Sequence, residues 1–139
     1  MRWLLDSNVW VAAFAARGLC AELTFRAIEL HEQGIIAVMV CPTVQEEVLR
    51  ILARKVGLPQ ESLTRVQALL ARMTTVPEGR WSPPPGFPNP DNVPIVGAAL
   101  EAGATALVTG DQALLALRAI DGLPVLSPRE AFLRLRRLR

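Results

Sequence analysis

Four carboxylates in this sequence are placed where they could do chemistry together. Asp6 and Asp111 each come just after a short apolar run, Glu47 follows a third run, and Asp91 precedes a segment of small apolar residues. Carboxylates brought close together repel one another unless they are protonated or bridged by a cation. Carboxylate oxygens without His or Cys suit Mg²⁺ or Mn²⁺. The four acids therefore indicate a divalent cation site, provided that the fold gathers them.

The elements that must position these acids are short strands that alternate with helices. Apolar runs predict four strands, at Trp3–Leu5, Ile35–Val40, Ala104–Val108 and Leu123–Leu126. Helical patterns are predicted over residues 22–32, 44–56, 63–73 and 95–102, and Ser127-Pro128-Arg129-Glu130 is a capping box that begins a last helix. This alternation predicts a single α/β domain over residues 1–139, with a parallel sheet covered by helices on both faces.

A parallel sheet explains how acids far apart in the sequence would meet. The carboxyl ends of parallel strands share one edge of the sheet, and ligands bind at that edge in open α/β folds. Asp6 and Asp111 are therefore predicted to converge there. On the helix that follows the second strand, Glu47 borders the apolar stripe while Glu46 lies nearly opposite it. Glu47 is the acid expected to face the site.

Each acid also has a purely structural interpretation. Asp6 and Asp111 both begin helix-like segments and could be N-caps, and Asp91 could be a turn residue. The one histidine, His31, lies in a polar helical segment and is expected at the surface. Cys20 and Cys41 lack metal-binding spacing and are interpreted as small buried residues of a protein in a reducing compartment.

The composition favours a packed globular protein, with 51% hydrophobic and 20% charged residues. No apolar run approaches the length of a membrane span, and Asp6 interrupts any signal-peptide layout, so a cytoplasmic protein is expected. The net charge of +2 does not by itself indicate nucleic-acid binding. Four arginines crowd the last six positions, either as a solvated helix end or as a phosphate-binding patch: Arg134, Arg136, Arg137 and Arg139.

One segment departs from the alternation of strands and helices. The stretch "PEGRWSPPPGFPNPDNVP" holds seven of the 11 prolines and predicts a long extended loop, a feature often connected with function. Trp81 and Phe87 either pack this loop against the domain or stack on a base.

The motifs "LLDSNV" and "AGATALVTGD", with a Pro-led helix carrying an inward Glu between them, resemble the PIN domain family. The resemblance runs over nearly the whole chain and implies a three-layer α/β/α sandwich. It also implies a metal-dependent nuclease, often acting on RNA and often the toxin of a toxin–antitoxin pair, and a homodimer. The family's acids fall on Asp6, Glu47 and Asp111, and its polar residues beside the first Asp fall on Ser7 and Asn8.

The sequence departs from the family pattern at two places. The family's acid before the small apolar helix would fall on Asn92 or Val93, with Asp91 just ahead, and a further acid after "TGD" is replaced by Ala113. The site therefore holds either four acids, with Asp91 shifted, or three.

The implied chemistry is hydrolysis of a phosphodiester bond with one or two Mg²⁺ or Mn²⁺ ions. Ser7, Asn8, Asn92 and Thr109 are expected to hydrogen-bond a carboxylate or phosphate, and Arg80, together with the C-terminal arginines, to guide the nucleic-acid backbone. The alternative is a PIN-like module that binds RNA or a protein partner without catalysis, which Asn92 and Ala113 favour. A phosphotransferase using Asp6 as nucleophile is disfavoured, since "DSN" has no second Asp.

Overall fold

A computed structural model describes residues 1–138 of the chain. A six-stranded sheet lies at its centre, with the strand order β3-β2-β1-β4-β6-β5. The strands are β1 (Arg2–Leu5), β2 (Ala37–Val40), β3 (Thr74–Thr75), β4 (Ala106–Val108), β5 (Ala119–Ile120) and β6 (Leu123–Leu126). All neighbouring strands are parallel except β5, which runs antiparallel to β6 at one edge.

Helices surround this sheet in an α/β/α arrangement. They are α1 (Ser7–Ala15), α2 (Leu19–Glu32), α3 (Pro42–Ile51), α4 (Gln60–Ala71), α5 (Val93–Glu101), α6 (Gln112–Leu117) and α7 (Pro128–Leu135). A π-helical turn, Leu52–Val56, extends α3, and a 3₁₀ turn, Pro90–Asn92, leads into α5. The predicted fold class is confirmed.

The centre of the core is β1, which lies between β2 and β4. Its residues Trp3, Leu4 and Leu5 are at most 1% exposed, because the sheet is covered on both faces. This burial explains why the strand is an unbroken apolar run rather than an alternating one.

Two helices begin with different kinds of N-cap, one supplied by neighbouring residues and one by a distant loop. At α7 the predicted capping box forms: the Glu130 backbone N–H donates to Ser127 Oγ, and the Ser127 N–H donates to the Glu130 carboxylate, both at 3.1 Å. At α3 the N-cap residue Cys41 offers no side-chain acceptor. The carboxylate of Glu78 replaces it from a distant loop, accepting from the backbone N–H (2.6 Å) and the hydroxyl of Thr43.

Several predicted boundaries are shifted. The second and third predicted strands begin two residues later than expected, at Ala37 and Ala106. The predicted continuous helix to residue 56 is α-helical only to Ile51. The two-residue strands β3 and β5 were not predicted at all, since a pair of residues carries no periodic signal.

The prediction that His31 is a surface residue is wrong. His31 is half-buried, and its Nδ1 accepts a hydrogen bond from the Val38 N–H at 3.0 Å. Its Nε2 lies 3.1 Å from the Arg72 carbonyl oxygen, so this nitrogen is the donor. The ring therefore ties α2 to β2 and to the end of α4.

The proline-rich segment packs against the domain, as one of the two sequence interpretations predicts. The Trp81 indole donates to Asp121 Oδ2 at 2.8 Å, and its ring meets Phe87 edge-on. Gly79 lies so close to α5 that a Cβ there would be 2.0 Å from the Gly97 carbonyl oxygen. Glycine at position 79 is therefore what permits this close approach.

Across residues 1–138, none of the helices has both the length and the apolar character needed to span a membrane.

Candidate active site

Asp6 lies at the carboxyl end of β1, where its backbone N–H donates to the Val108 carbonyl at 2.8 Å. Its side chain is only 3% exposed. One carboxylate oxygen accepts from the Ser7 N–H at 2.7 Å and caps α1, and the other accepts from the Thr109 hydroxyl at 2.8 Å. The helix-cap interpretation of Asp6 is therefore correct, and it coexists with a position at the edge of the sheet.

Thr109 connects the ends of two strands to the second Asp. Besides donating to Asp6, its Oγ1 accepts from the Asp111 N–H at 3.0 Å. The Asp111 carboxylate then caps α6 by accepting from the N–H groups of Ala113 (2.9 Å) and Leu114 (3.3 Å). One threonine thus holds the two predicted acids in a fixed relation.

Asn8 joins the same segments from the α1 side. Its side-chain oxygen accepts from the Gly110 N–H at 2.9 Å. Its amide nitrogen is 3.4 Å from both Asp6 Oδ2 and Thr109 Oγ1. These contacts fix the loop after β4 against the start of α1.

Glu47 reaches this cluster from α3. The Ser7 hydroxyl donates to Glu47 Oε2 at 2.8 Å, and the Glu47 side chain is half-buried, whereas Glu46 is exposed. The helix therefore presents Glu47 on the side that its apolar stripe predicts.

Asp91 and Asn92 occupy different surroundings although they are neighbours. Asn92 is 9% exposed, and its amide donates to Asp111 Oδ2 at 3.3 Å. Asp91 is exposed in the 3₁₀ turn, and its backbone N–H is capped by the Asn89 side chain at 3.0 Å. Among the described residues, the Asp91 carboxylate makes no hydrogen bond, so the fold brings Asn92 rather than Asp91 to the other acids.

The electrostatics of this cluster centre on Asp6. Burial raises the pKa of the Asp6 carboxyl, and the nearby charges of Glu47 and Asp111 raise it further. The hydrogen bonds from Thr109 and Ser7 lower it, but by less than burial raises it. A buried acid with two negative neighbours is an arrangement that a cation would stabilise.

The carboxylates of Asp6, Glu47 and Asp111 are suitable ligands for Mg²⁺ or Mn²⁺, but they are not close enough together to coordinate one ion. In the part of the chain that the structure describes, no three His, Cys, Asp or Glu side chains stand close enough together to hold a metal ion. Ser7 instead links Glu47 to Asp6, through its hydroxyl and its backbone N–H respectively, and the Thr109 hydroxyl links Asp6 to the backbone N–H of Asp111. Hard oxygen donors of this kind are those that these two cations prefer.

The predicted arginines do not form one patch. Arg134 lines a pocket between α6, β6 and α7, whereas Arg136 lines a groove between α2 and α7. Arg80 lies in the proline-rich loop, where its backbone N–H donates to Glu101 at 2.9 Å, and Arg137 is exposed just after α7. Arg139 lies outside the described residues.

Glu78 is a residue that sequence reasoning did not single out. Its carboxylate caps the helix that carries Glu47, and so bears on the site indirectly. The signal was the absence of a capping side chain at Cys41, which left the first N–H groups of α3 to be satisfied from elsewhere.

Together these features define a three-layer α/β protein with an acidic, hydrogen-bonded site at the carboxyl edge of its parallel sheet. The sequence profile described as "PIN domain" matches residues 2–113 of the chain. The chain belongs to the PIN domain family, whose members are generally metal-dependent nucleases.

The structural comparison agrees with this fold. The crystal structure of PAE2754 from Pyrobaculum aerophilum is similar, with a TM-score of 0.58 over 98% of each chain. At 16% identity, this similarity concerns the fold alone. No curated protein matches the sequence significantly.

Proposed function

We propose that this protein is a metal-dependent ribonuclease that hydrolyses phosphodiester bonds with Mg²⁺ or Mn²⁺. The observation that carries the proposal is the unbroken chain of hydrogen bonds from Glu47 through Ser7, Asp6 and Thr109 to Asp111. Membership of a family of nucleases supports it.

Asp6, Glu47 and Asp111 would hold the cation. Such a cation supplies a more acidic bound water and stabilises the charge on the leaving oxygen. The chain's own polar groups set the geometry. The Ser7 hydroxyl donates to Oε2 of Glu47, while the Ser7 N–H and the Thr109 hydroxyl each donate to one oxygen of Asp6, so these bonds orient the two carboxylates and a cation would bind their remaining lone pairs.

Asn92 restrains the third acid. Its amide donates to Oδ2 of Asp111, while the N–H groups of α6 occupy Oδ1. Asp91 stays a prediction as a fourth ligand, and it would reach the site only if the 3₁₀ turn rearranged.

Cleavage of labelled single-stranded RNA with Mn²⁺ or Mg²⁺ tests this proposal. Wild-type protein should cleave, EDTA should abolish cleavage, and Asp6→Asn and Glu47→Gln should each lose it. Glu46→Gln is the matched control, one residue away on the same helix but exposed, and should cleave normally. Equal cleavage by Asp6→Asn and wild type would identify a contaminant and overturn the catalytic assignment.

Asp91→Asn decides between three and four acids. Retained cleavage in Asp91→Asn, with loss in Asp111→Asn, assigns a site of three carboxylates. Loss in both variants assigns the fourth ligand to Asp91.

A non-catalytic PIN-like binding module is the second candidate, because a neutral amide, Asn92, lies against Asp111 and the three acids are not gathered around one point. This candidate predicts RNA binding without cleavage even when Mn²⁺ is present, and no heat of Mn²⁺ binding in calorimetry. A heat of Mn²⁺ binding that Asp6→Asn abolishes would exclude it.

We extend the proposal to the protein's setting. It would act in the cytoplasm as a homodimer and as the toxin of a toxin–antitoxin pair. Light scattering gives the molar mass in solution, which should be twice that of one chain. Growth arrest on expression of wild type, but not of Asp6→Asn, tests the toxin role.

A further inference from the structure

A polar pocket of about 410 Å³ lies between α6, β6 and α7. Its charged lining consists of Arg118, Arg134 and Glu130, and its apolar lining comes mainly from β6. Both guanidinium groups belong to exposed residues, so the pocket faces solvent with its cations accessible.

Neither arginine of the pocket forms an ion pair with another described residue. Over residues 1–138 the ion pairs are Arg26–Glu29 and Arg72–Glu32, and neither Arg118 nor Arg134 takes part in one. Glu130 lines the same pocket, but its carboxylate accepts the Ser127 N–H as part of the α7 capping box. Two cations against one committed acid leave the pocket with an excess of positive charge.

The backbone at Arg118 is unusual for a residue with a side chain. Its φ is 62° and its ψ is −39°, at the residue that ends α6. The conformation is held from both sides, since the Arg118 N–H donates to the Leu115 carbonyl (3.1 Å) and the Arg118 carbonyl accepts from the Val125 N–H (2.9 Å). Non-glycine residues in such conformations concentrate at functional sites.

The pocket is connected to the acidic site by α6 itself. Asp111 caps the first end of this six-residue helix and Arg118 ends the other, which separates them by about 10 Å along the helix axis. Leu115, which lines the pocket, donates its N–H to the Asp111 carbonyl at 2.9 Å. A ligand at the acids and a ligand in the pocket would therefore be close neighbours.

We propose that this pocket binds one backbone phosphate of a single-stranded nucleic acid while another phosphate of the same strand lies at the acidic site. One guanidinium group can donate two parallel hydrogen bonds to the oxygens of a phosphate. Two arginines line this one cavity. The proposal rests on the proposed function, and it assigns to Arg118 a role in holding the substrate strand.

The test is the salt dependence of RNA binding in EDTA, where no cleavage occurs. A fluorescent single-stranded RNA is titrated at several KCl concentrations against wild type, Arg118→Gln, Arg134→Gln and the double variant. Each phosphate contact adds about 0.7 to the slope of log K against log salt for single strands. The magnitude of the slope should therefore fall by about 0.7 in each single variant and by about 1.4 in the double variant.

Arg129→Gln is the matched control, because Arg129 is exposed on α7 but does not line the pocket. Its slope should equal that of wild type. Unchanged slopes in Arg118→Gln and Arg134→Gln, or an equal fall in Arg129→Gln, would overturn the proposal. Thermal melts of all variants verify that the fold is intact.

A separate arm distinguishes free phosphate from a polymer. Calorimetry with inorganic phosphate should give no binding heat. A heat that Arg118→Gln removes, without any change in RNA slope, would assign the pocket to free phosphate and overturn the polymer site. Failure of the pocket proposal can be distinguished from failure of the nuclease proposal. If the arginine variants have lowered slopes but wild type does not cleave RNA, the phosphate pocket stands and the nuclease proposal fails. If cleavage depends on Asp6 but the slopes are unchanged, the nuclease proposal stands and the pocket proposal fails.

Discussion

Removal of the Glu78 carboxylate should loosen the start of α3, although Glu78 lies 35 residues away along the chain. The variant is Glu78→Ala. Helix α3 has no capping side chain of its own, so Glu78 alone satisfies the Thr43 N–H through a side chain. Glu78→Ala therefore leaves the first turn of the helix that carries Glu47 without a cap.

The size of the effect follows from two contributions. Loss of an N-cap acceptor costs about 1 kcal/mol, and loss of a negative charge at a helix N-terminus costs about 0.5 kcal/mol more. The free energy of unfolding should fall by about 1.5 kcal/mol, which lowers the Tm by about 6 °C for a domain of this size. Glu78→Gln keeps an acceptor and should lose only about 0.5 kcal/mol.

Urea denaturation monitored by circular dichroism measures these differences. A double-mutant cycle with Thr43→Ala isolates the hydroxyl contact and should give a coupling energy of about 0.5–1 kcal/mol. Glu46→Ala, an exposed acid on the same helix, is the control and should change stability by less than about 0.5 kcal/mol. If Glu78→Ala were no more destabilising than Glu46→Ala, the inference of a long-range cap would be refuted.

Four further outcomes are expected. Burial and, to a lesser degree, the Glu78 charge raise the pKa of the Cys41 thiol to about 11. The stability that this shift contributes is complete below the ordinary thiol pKa and is lost as the pH rises through about 11. The Tm of wild type should therefore fall more at alkaline pH than the Tm of Cys41→Ala. Thiol labelling at pH 8 should leave Cys41 unmodified until the protein unfolds, and rapid labelling of the native protein would contradict its burial. Gly79→Ala should lower the free energy of unfolding by more than about 2 kcal/mol, because the new Cβ would meet the Gly97 carbonyl. It should also expose the proline-rich loop to proteolysis, and unchanged digestion would contradict the close approach of Gly79 to Gly97. Ser7→Ala should cost about 1.5 kcal/mol, since Ser7 is buried and its hydroxyl donates to the Glu47 carboxylate. A loss that persists in a Glu47→Ala background, which has no acceptor, would show that this bond is not its source.

Four of the six strands and the edge of the sheet could be predicted from the sequence because their signals are local and strong. β1 and β6 are apolar runs that end at polar residues, and the capping box of α7 is written in four consecutive residues. From a parallel sheet, the meeting of Asp6 and Asp111 follows by topology. The structure joins them through the Thr109 hydroxyl.

The parts that could not be predicted depend on contacts between distant segments. Whether Asp91 or Asn92 turns toward Asp111 is decided by the phase of a three-residue 3₁₀ turn, which composition does not fix. The role of His31 depends on where Val38 and Arg72 arrive around it. The cap of α3 by Glu78 depends on the path of the loop after β3.

The position of β1 between β2 and β4 has a consequence for synthesis. Asp6 is synthesised before its Thr109 partner, which lies 103 residues further along the chain, and the Thr109 N–H donates in turn to the Leu126 carbonyl. Long-range pairings of this kind form late, because the intervening chain must be closed first. The nascent chain therefore carries an incomplete site until it has been translated as far as Leu126. Any activity of that site is withheld, without a separate inhibitor, until the fold is complete.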